Sequence, residues 1–204
     1  MDMIDGTRRW LMRAHYQIRS FVKDRRGVAA VEFAFIAPVL LALYFVTMEV
    51  AQGIENNKKV GRVASMVADL VTQQPEIKRS ELEAIMKIGN AIMYPYNRSI
   101  PTIEVTGIWI PDEDSPEPEI RWSRKMVSNT FSEGDSPADV PEKLKIRGTF
   151  LVRVSAKLEY RPVITWAAEE KTSVGLAATF DKIPMKETYY LRPRMTAQID
   201  CKDC

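Results

Sequence analysis

The strongest pattern along the chain is an apolar run from Val28 to Met48, interrupted by one acid, Glu32, and one hydroxyl, Thr47. A helix rises about 1.5 Å per residue, so this run is long enough to cross a hydrocarbon core about 30 Å thick. We therefore expect residues 28–50 to form a transmembrane helix in contact with the lipid bilayer. No second apolar run in the sequence approaches this length.

Beyond this run the pattern stays helical but becomes amphipathic. Apolar residues recur at spacings of three, four or seven at Val50, Ile54, Val60, Val63, Ala64, Val67, Leu70 and Val71. The pattern predicts one helix from about residue 28 to 72, ending before Pro75, since proline cannot continue a helix. A second helix is predicted from a serine cap at Ser80 to about Tyr94.

After Pro101 the period changes from helical to alternating, which is typical of strands with one buried face. The clearest run has apolar residues at every second position from Val152 to Tyr160. Shorter runs are Ile103/Val105, Ile108/Ile110 and Ile120/Trp122, and weaker ones are Val174/Leu176/Ala178/Phe180 and Tyr189/Leu191/Met195/Ala197/Ile199. Pro193 interrupts the last run, which suggests an edge or a bulge.

The net charge of +2 is unevenly distributed along the chain. Residues 1–26 carry seven Arg or Lys against three acids, so that segment is +4 and the remainder is −2. This balance argues against a nucleic-acid-binding body. Only Lys58, Lys59 and Arg62 follow the apolar run closely, so the positive-inside rule places the N-terminus in the cytoplasm.

Together these patterns predict an α+β protein with three parts. Residues 1–27 form a basic cytoplasmic leader, residues 28–50 a transmembrane helix extended into the periplasm, and residues 51–204 a periplasmic antiparallel sheet packed with one or two helices. Within the leader, residues 8–23 suit a short basic helix at an anionic leaflet, or a disordered segment that only sets topology. A cleaved secretory signal fits poorly, because the apolar run is too long and no small-x-small cleavage site follows it.

Catalytic and cofactor motifs are missing from the sequence. It contains no phosphate-binding glycine loop, serine elbow or paired histidines, and the one histidine, His15, lies in the leader. The acidic loops at 111–119 and 133–137 lack the spacing of a calcium site and are interpreted as solvated connections. We therefore expect no enzyme activity, no cofactor and no metal site.

Cys201 and Cys204 form a lone C-x-x-C in the part predicted to be exported. Two cysteines supply half of a closed zinc site, and the helical context of a redox motif is missing. The preferred interpretation is a local disulfide, which an exported domain could retain. Free or intermolecular thiols, and a metal or redox function, remain alternatives.

Glu32 is the unusual residue of the apolar run, because a central acid costs about 2.5–3.5 kcal/mol in a membrane helix, and less near the interface. It is either a carboxylate tolerated near the headgroups or a functional group. Its context is specific: basic residues precede Gly27, then four small or apolar residues, then Glu32-Phe33 and a long apolar helix. This arrangement resembles the class III signal of type IV prepilins. Residues 24–65 are similar to the TadE-like (TadE/TadG) pilus assembly family, pseudopilins of the Tad or Flp system.

The resemblance implies that a prepilin peptidase cuts after Gly27, leaving Val28 as the new N-terminus, and that Glu32 pairs with the amine of a neighbouring subunit. Gly27 has no side chain, so the peptide can enter a peptidase cleft in extended form. Small residues that permit close helix packing are Ala29, Ala30, Ala34 and Ala37. Pro38 predicts a kink in the span, the alternative being a proline that the helix merely tolerates.

The resulting hypothesis is a non-enzymatic pseudopilin or minor pilin, single-pass in the bacterial inner membrane or associated with the pilus. Its partners would be the prepilin peptidase, other pseudopilins and pilin, and the inner-membrane secretion platform. The first alternative is an uncleaved, signal-anchored periplasmic binding or interaction protein in which Glu32 is incidental. The second is an anchored thiol or metal protein that uses Cys201 and Cys204.

Overall fold

The structure, a computed structural model, describes residues 27–163 and 182–204. They form an α+β fold in which a long apolar helix precedes a second helix and a five-stranded antiparallel sheet. The helices are α1 (Val28–Thr72) and α2 (Arg79–Met93), and a short 3-10 helix spans Glu142–Leu144. The strands are β1 (Glu76–Ile77), β2 (Thr102–Ile110), β3 (Glu119–Val127), β4 (Thr130–Glu133), β5 (Thr149–Tyr160), β6 (Ile183–Leu191) and β7 (Asp200–Cys201). The basic leader before Gly27 and the weak strand predicted at 174–180 lie outside the described residues.

The chain divides into two compact units between Met48 and Glu49. In the first, the described residues are Gly27 and the α1 residues 28–48. The second unit contains the rest of α1 and the elements that follow it. α1 ends at Thr72, as its apolar period and Pro75 predicted.

The sheet of the second unit has the strand order β4-β3-β2-β5-β6, and each neighbouring pair is antiparallel. β2 and β5 pair over the whole of β2, from Thr102 opposite Lys157 to Ile110 opposite Thr149. Ser128 and Asn129 join β3 to β4 with positive φ angles of 50° and 64°, which fits a two-residue hairpin turn. Separately, β1 and β7 form a two-stranded parallel ladder.

One face of the sheet carries the main core. The part of α1 from Val60 to Val71 packs there with α2 and with alternate residues of β2 and β5. The core residues contributed by the helices are Val60, Val63, Ala64, Val67, Ala68, Val71, Leu82, Met86 and Met93. α2 lies so close to β2 that a Cβ at Gly89 would stand 2.4 Å from Ile103 Cδ1. We call this the helix-covered face.

The opposite face, which we call the polar face, was predicted to be exposed. Lys157 and Glu159 are exposed, but for most of the face that expectation was wrong. Buried polar residues occupy it at Glu104, Thr106, Ser123, Arg153 and Ser155. At one end Ile108, Ile110 and Leu151 form a second, smaller apolar cluster with Val140. The loop after β4 covers this face, because Arg153 donates to the Pro137 carbonyl at 2.5 Å. The apolar runs Ile103/Val105 and Ile108/Ile110, which were predicted separately, therefore belong to one strand, β2, with both faces buried.

Two further sequence-based expectations need correction. α2 begins at Arg79 after Lys78, whose backbone N–H donates to Glu81 Oε2 at 3.1 Å, so Ser80 is not the cap. The last predicted strand ends at Leu191, and the chain pairs again only at Asp200–Cys201. The acidic segment at 111–118 connects strands as a loop, as expected.

Candidate processing and assembly segment

The predicted processing bond lies at the beginning of a helix. α1 begins at Val28, so Gly27 is the residue immediately before it. Gly27 is exposed, and a Cβ built on it would meet no atom within 4 Å. The first four backbone N–H groups of a helix have no partner within it, and the first turn of α1 contains no acidic residue. The described residues therefore leave this bond sterically open.

Glu32 lies four residues after Val28, one helical turn farther along α1. Residues four apart share a face, and the rise between them is about 6 Å. A carboxylate and an N-terminal ammonium placed here would thus project from the same side of the helix. Glu32 and Phe33 are both exposed, and Glu32 has no hydrogen bond or ion pair to another described residue.

The small residues of the segment lie on a different face from Glu32. At about 100° per residue, Ala30, Ala34 and Ala37 are rotated about 140–200° from Glu32 around the helix axis. Ala29 is the exception, at about 60° from it. The helix therefore carries its acid on one side and a small-residue stripe on the opposite side.

The segment 28–48 exposes a continuous apolar surface. All its large apolar side chains are exposed, including Phe33 at 69% and Phe35 at 75%. The most apolar part of α1 has a mean hydropathy of 2.2 and none of it is buried. Soluble proteins rarely expose so much contiguous apolar surface, so lipid or other helices must cover it. Among residues 27–163 and 182–204, α1 is the one helix long and apolar enough to cross a membrane.

Two residues inside the segment bear on its backbone hydrogen bonds. α1 continues through Pro38, which has no N–H to donate to the Ala34 carbonyl. Thr47 donates its hydroxyl to the Leu43 carbonyl at 2.8 Å, so its polar group is satisfied within the helix. The mid-span kink remains a prediction.

Glu49, the first residue of the second unit, was not singled out from the sequence. Its carboxylate accepts a hydrogen bond from the Tyr160 hydroxyl at 2.5 Å and another from the Val163 backbone N–H at 2.9 Å. Burial and then this hydrogen bond raise the pKa of Tyr160 well above its ordinary value. An acid directly after the apolar run was the available signal, but its partners lie more than 100 residues away.

Cys201 and Cys204 form a disulfide with a Cα–Cα distance of 5.5 Å. The segment that contains it is also held by the β1–β7 ladder and by Asp203, which accepts from the Arg79 backbone N–H at 2.6 Å. Within the described part of the chain, no group of three His, Cys, Asp or Glu residues could hold a metal ion.

An exposed apolar helix that begins directly after an open glycine, with an acid one turn into it, is the arrangement that the sequence resemblance implied. Residues 27–69 match the TadE-like protein family. The TadE-like segment begins at Gly27 and overlaps the predicted region of resemblance, so the predicted resemblance to this family is confirmed over about a fifth of the chain. No curated protein and no solved structure matches the chain.

The TadE-like match supports coarse statements about function. The family implies a role in Tad pilus assembly, and such proteins are generally structural rather than enzymatic. The apolar helix indicates a single-pass membrane anchor followed by a C-terminal domain. The match ends at Asp69, so α2 and the sheet lie outside it.

Proposed function

We propose that this protein is a pseudopilin or minor pilin of a Tad (Flp) pilus, made as a precursor and cut after Gly27. The observation that carries the proposal is the coincidence of two boundaries. The TadE-like match begins at Gly27, and the apolar helix begins at Val28. Cleavage between them would remove the basic leader and leave a chain whose first residue is also the first residue of a membrane helix.

The proposed topology follows from the charges beside the span. Seven basic residues precede the helix, which favours a cytoplasmic leader at residues 1–27, an inner-membrane span at 28–50 and a periplasmic domain at 51–204. A prepilin peptidase acting from the cytoplasmic side would then reach the Gly27–Val28 bond. Hydrolysis of that bond leaves a carboxylate on Gly27 and an α-ammonium on Val28.

The role proposed for Glu32 follows from the cost of isolated charges in lipid. After cleavage, the Val28 ammonium and the Glu32 carboxylate both lie in or near hydrocarbon, where an unpaired charge costs up to about 3 kcal/mol. Pairing the carboxylate of one subunit with the ammonium of the next offsets part of both costs and favours assembly in register. Phe33, beside it, adds apolar surface to the same contact.

The opposite face of the helix supports contact with another neighbour. Ala30, Ala34 and Ala37 present little side-chain volume, so a second helix can approach their backbone closely. One helix could thus contact one neighbour through Glu32 and another through the small-residue stripe. The partners of such a subunit are the peptidase, other pseudopilins and pilin, and the inner-membrane secretion platform.

The processing step is tested by replacing Gly27. Gly27→Leu should leave the full-length chain in the native host, because a bulky side chain obstructs the cleft and favours helix across the bond. Ala30→Leu is the matched control, since it adds the same side chain three residues beyond the bond and should still be cut. Intact mass and N-terminal sequencing of membrane extracts separate the outcomes. Shortening of Gly27→Leu by 27 residues would refute the processing step, and Met1 at the terminus of the native chain would favour the uncleaved anchor.

The assembly step is tested by replacing Glu32. Glu32→Gln keeps the shape and removes the charge, so it should insert and be cut normally but give few surface pili, counted by electron microscopy and in sheared fractions. Thr47→Val removes a polar group of the run that carries no charge and should assemble normally, because the Thr47 hydroxyl already bonds within the helix. Normal piliation by processed Glu32→Gln would show that the carboxylate has no assembly role.

A further inference from the structure

We propose that a small pocket between β5 and β6, on the polar face of the sheet, binds a phosphate-class oxyanion, either inorganic phosphate or a phosphomonoester. The pocket has a volume of about 140 Å³. Among the residues that line it are Arg153, Ser155 and Lys157 of β5 and Lys186, Thr188 and Tyr190 of β6. The proposal concerns the domain beyond the TadE-like match, and it does not depend on the function proposed above.

The first argument is the position of two lysines. Lys157 and Lys186 are directly opposite each other in the antiparallel register of β5 and β6. Directly opposed residues on one face have Cβ atoms about 4.5–5.5 Å apart, and like charges there are destabilising. Neither lysine forms an ion pair with another described residue. An anion between the two ammonium groups would convert this repulsion into attraction.

Several acids lie around the pocket: Asp135, Glu104 and Glu159 have other partners, Glu159 through an ion pair with Lys182 at 3.4 Å, and Asp139 is itself part of the lining. The pKa of Asp135 is lowered mainly by a hydrogen bond from Lys125 at 2.8 Å. The charge of Lys157 lowers it by a smaller amount. Glu104 accepts from the Ser136 backbone N–H at 3.0 Å and from the Ser136 hydroxyl. Neither carboxylate is therefore free to neutralise the lysine pair.

The second argument is that a buried cation and buried or half-buried hydroxyl groups line the pocket. Arg153 is 6% exposed and Ser155 is 7% exposed. Arg153 donates to the Pro137 carbonyl at 2.5 Å and to the Thr106 hydroxyl at 3.2 Å, so its charge is held in place, and no carboxylate of residues 27–163 and 182–204 forms an ion pair with it. Thr188 donates to the Ser155 hydroxyl at 3.4 Å, a long contact that both groups could exchange for an anion.

This set of groups suits a doubly charged tetrahedral oxyanion better than chloride or a single carboxylate. The two ammonium groups and the hydroxyls of Ser155 and Thr188 supply donors, and the Arg153 guanidinium, which bonds acceptors of the protein, adds a fixed positive charge. Charge-assisted hydrogen bonds are the strong ones, and a dianion with four oxygens can accept several of them at once. The chemistry is shared by free phosphate and by phosphomonoester headgroups of lipids.

The test uses the full chain in uncharged detergent. Thermal unfolding and titration calorimetry are run with sodium phosphate and with sodium chloride at equal ionic strength. Phosphate should raise the Tm of the native chain more than chloride does. Lys157→Gln and Lys186→Gln should weaken phosphate binding about tenfold, because each removes a charged donor. Lys182→Gln is the matched control, since Lys182 is near Lys186 in sequence but pairs with Glu159 at 3.4 Å.

A second readout separates a binding site from an ordinary solvated surface. Without phosphate, Lys186→Gln should raise the Tm, because it removes the repulsion from Lys157. With phosphate, the native chain should gain more than the variant. Equal shifts in the native chain and in both pocket variants, or equal shifts with phosphate and chloride, would overturn the proposal.

A third arm identifies the source of the phosphate group. The chain is placed in phosphatidylcholine nanodiscs with and without phosphatidic acid. A Tm increase with phosphatidic acid that is lost in Lys186→Gln supports a lipid headgroup as occupant. An increase with soluble phosphate alone supports a free phosphate or a soluble phosphomonoester.

Discussion

Gly107 is the position where adding one methyl group should damage the domain most clearly. It lies in β2 opposite Trp122, where the pairing of β2 with β3 shifts register. A Cβ at Gly107 would lie 2.4 Å from Trp122 Cε2, 2.6 Å from Trp122 Nε1 and 2.8 Å from Phe150 Cζ. No rotation about a flexible bond relieves this clash, because two aromatic rings close the site. We predict that Gly107→Ala destabilises the second unit.

The magnitude follows from two contributions. Moving the indole by about 1 Å to ordinary contact is overpacking, which costs about 1–3 kcal/mol. The same movement weakens the hydrogen bond from Trp122 Nε1 to the buried Ile199 carbonyl, now 2.8 Å long, which costs about another 1 kcal/mol. The lower backbone entropy of the unfolded alanine variant returns about 0.5–1 kcal/mol. The expected net loss is about 1–3.5 kcal/mol.

The assay is urea unfolding of the full chain in uncharged detergent, followed by tryptophan fluorescence. Gly61→Ala is the control: its Cβ would meet Glu187 Cγ at 3.7 Å and Tyr189 Oη at 3.8 Å, ordinary contacts, and alanine is favoured in a helix by about 1 kcal/mol. The two variants should therefore shift the midpoint in opposite directions with unchanged slope. A midpoint for Gly107→Ala equal to that of the native chain would refute the packing argument.

Three further predictions concern the second unit. Replacing Cys201 and Cys204 by serine opens a four-residue loop, so the free energy of unfolding measured in urea should fall by about 2 kcal/mol by the chain-entropy relation. An unchanged free energy of unfolding would mean that the β1–β7 ladder, not the disulfide, stabilises the C-terminal segment. Because the pKa of Tyr160 is raised in the folded state, its neutral phenol stabilises the fold. This stabilisation is complete below the unfolded pKa of about 10 and is lost as pH rises toward the folded pKa. Tyr160→Phe should therefore flatten the loss of Tm above pH 10. Glu83→Gln breaks a half-buried ion pair with Arg124 of β3 and should lower the free energy of unfolding by about 1–3 kcal/mol in the same urea assay. Glu142→Gln breaks an exposed ion pair and should change it by less than about 0.5 kcal/mol.

The helical predictions were accurate because helix periodicity is local. The apolar run from Val28 to Met48 and the 3.6-residue period from Val50 to Val71 are both local, and Pro75 excludes continuation, so both ends of α1 could be predicted without knowing what it packs against. The cap of α2 was less accurate. Serine is a common cap, but Lys78 takes the position because Glu81 accepts its backbone N–H, a contact that depends on the direction in which the chain enters the helix.

The strand predictions identified β2, β3 and β5 and the last residues of β6, but not the faces that are buried. Alternation predicted β5, yet Arg153 and Ser155, which read as solvent-facing, are buried under the loop that follows β4. β1, β4 and β7 were missed. β1 and β7 have two residues each and carry no period, and their pairing depends on residues more than 120 positions apart. The phosphate-class pocket was invisible for the same reason, since only the register of β5 and β6 places Lys157 opposite Lys186.

The sequence by itself determined the apolar helix, the glycine before it and the acid one turn within it, because covalent order and helical period place those groups without any long-range contact. The TadE-like match begins in this segment and continues along α1 to Asp69. Only the tertiary structure decided which polar residues of the sheet are buried, which groups donate hydrogen bonds to Glu49, and that Lys157 lies opposite Lys186. Those outcomes depend on strand register and loop placement, which arise only when distant parts of the chain pack together.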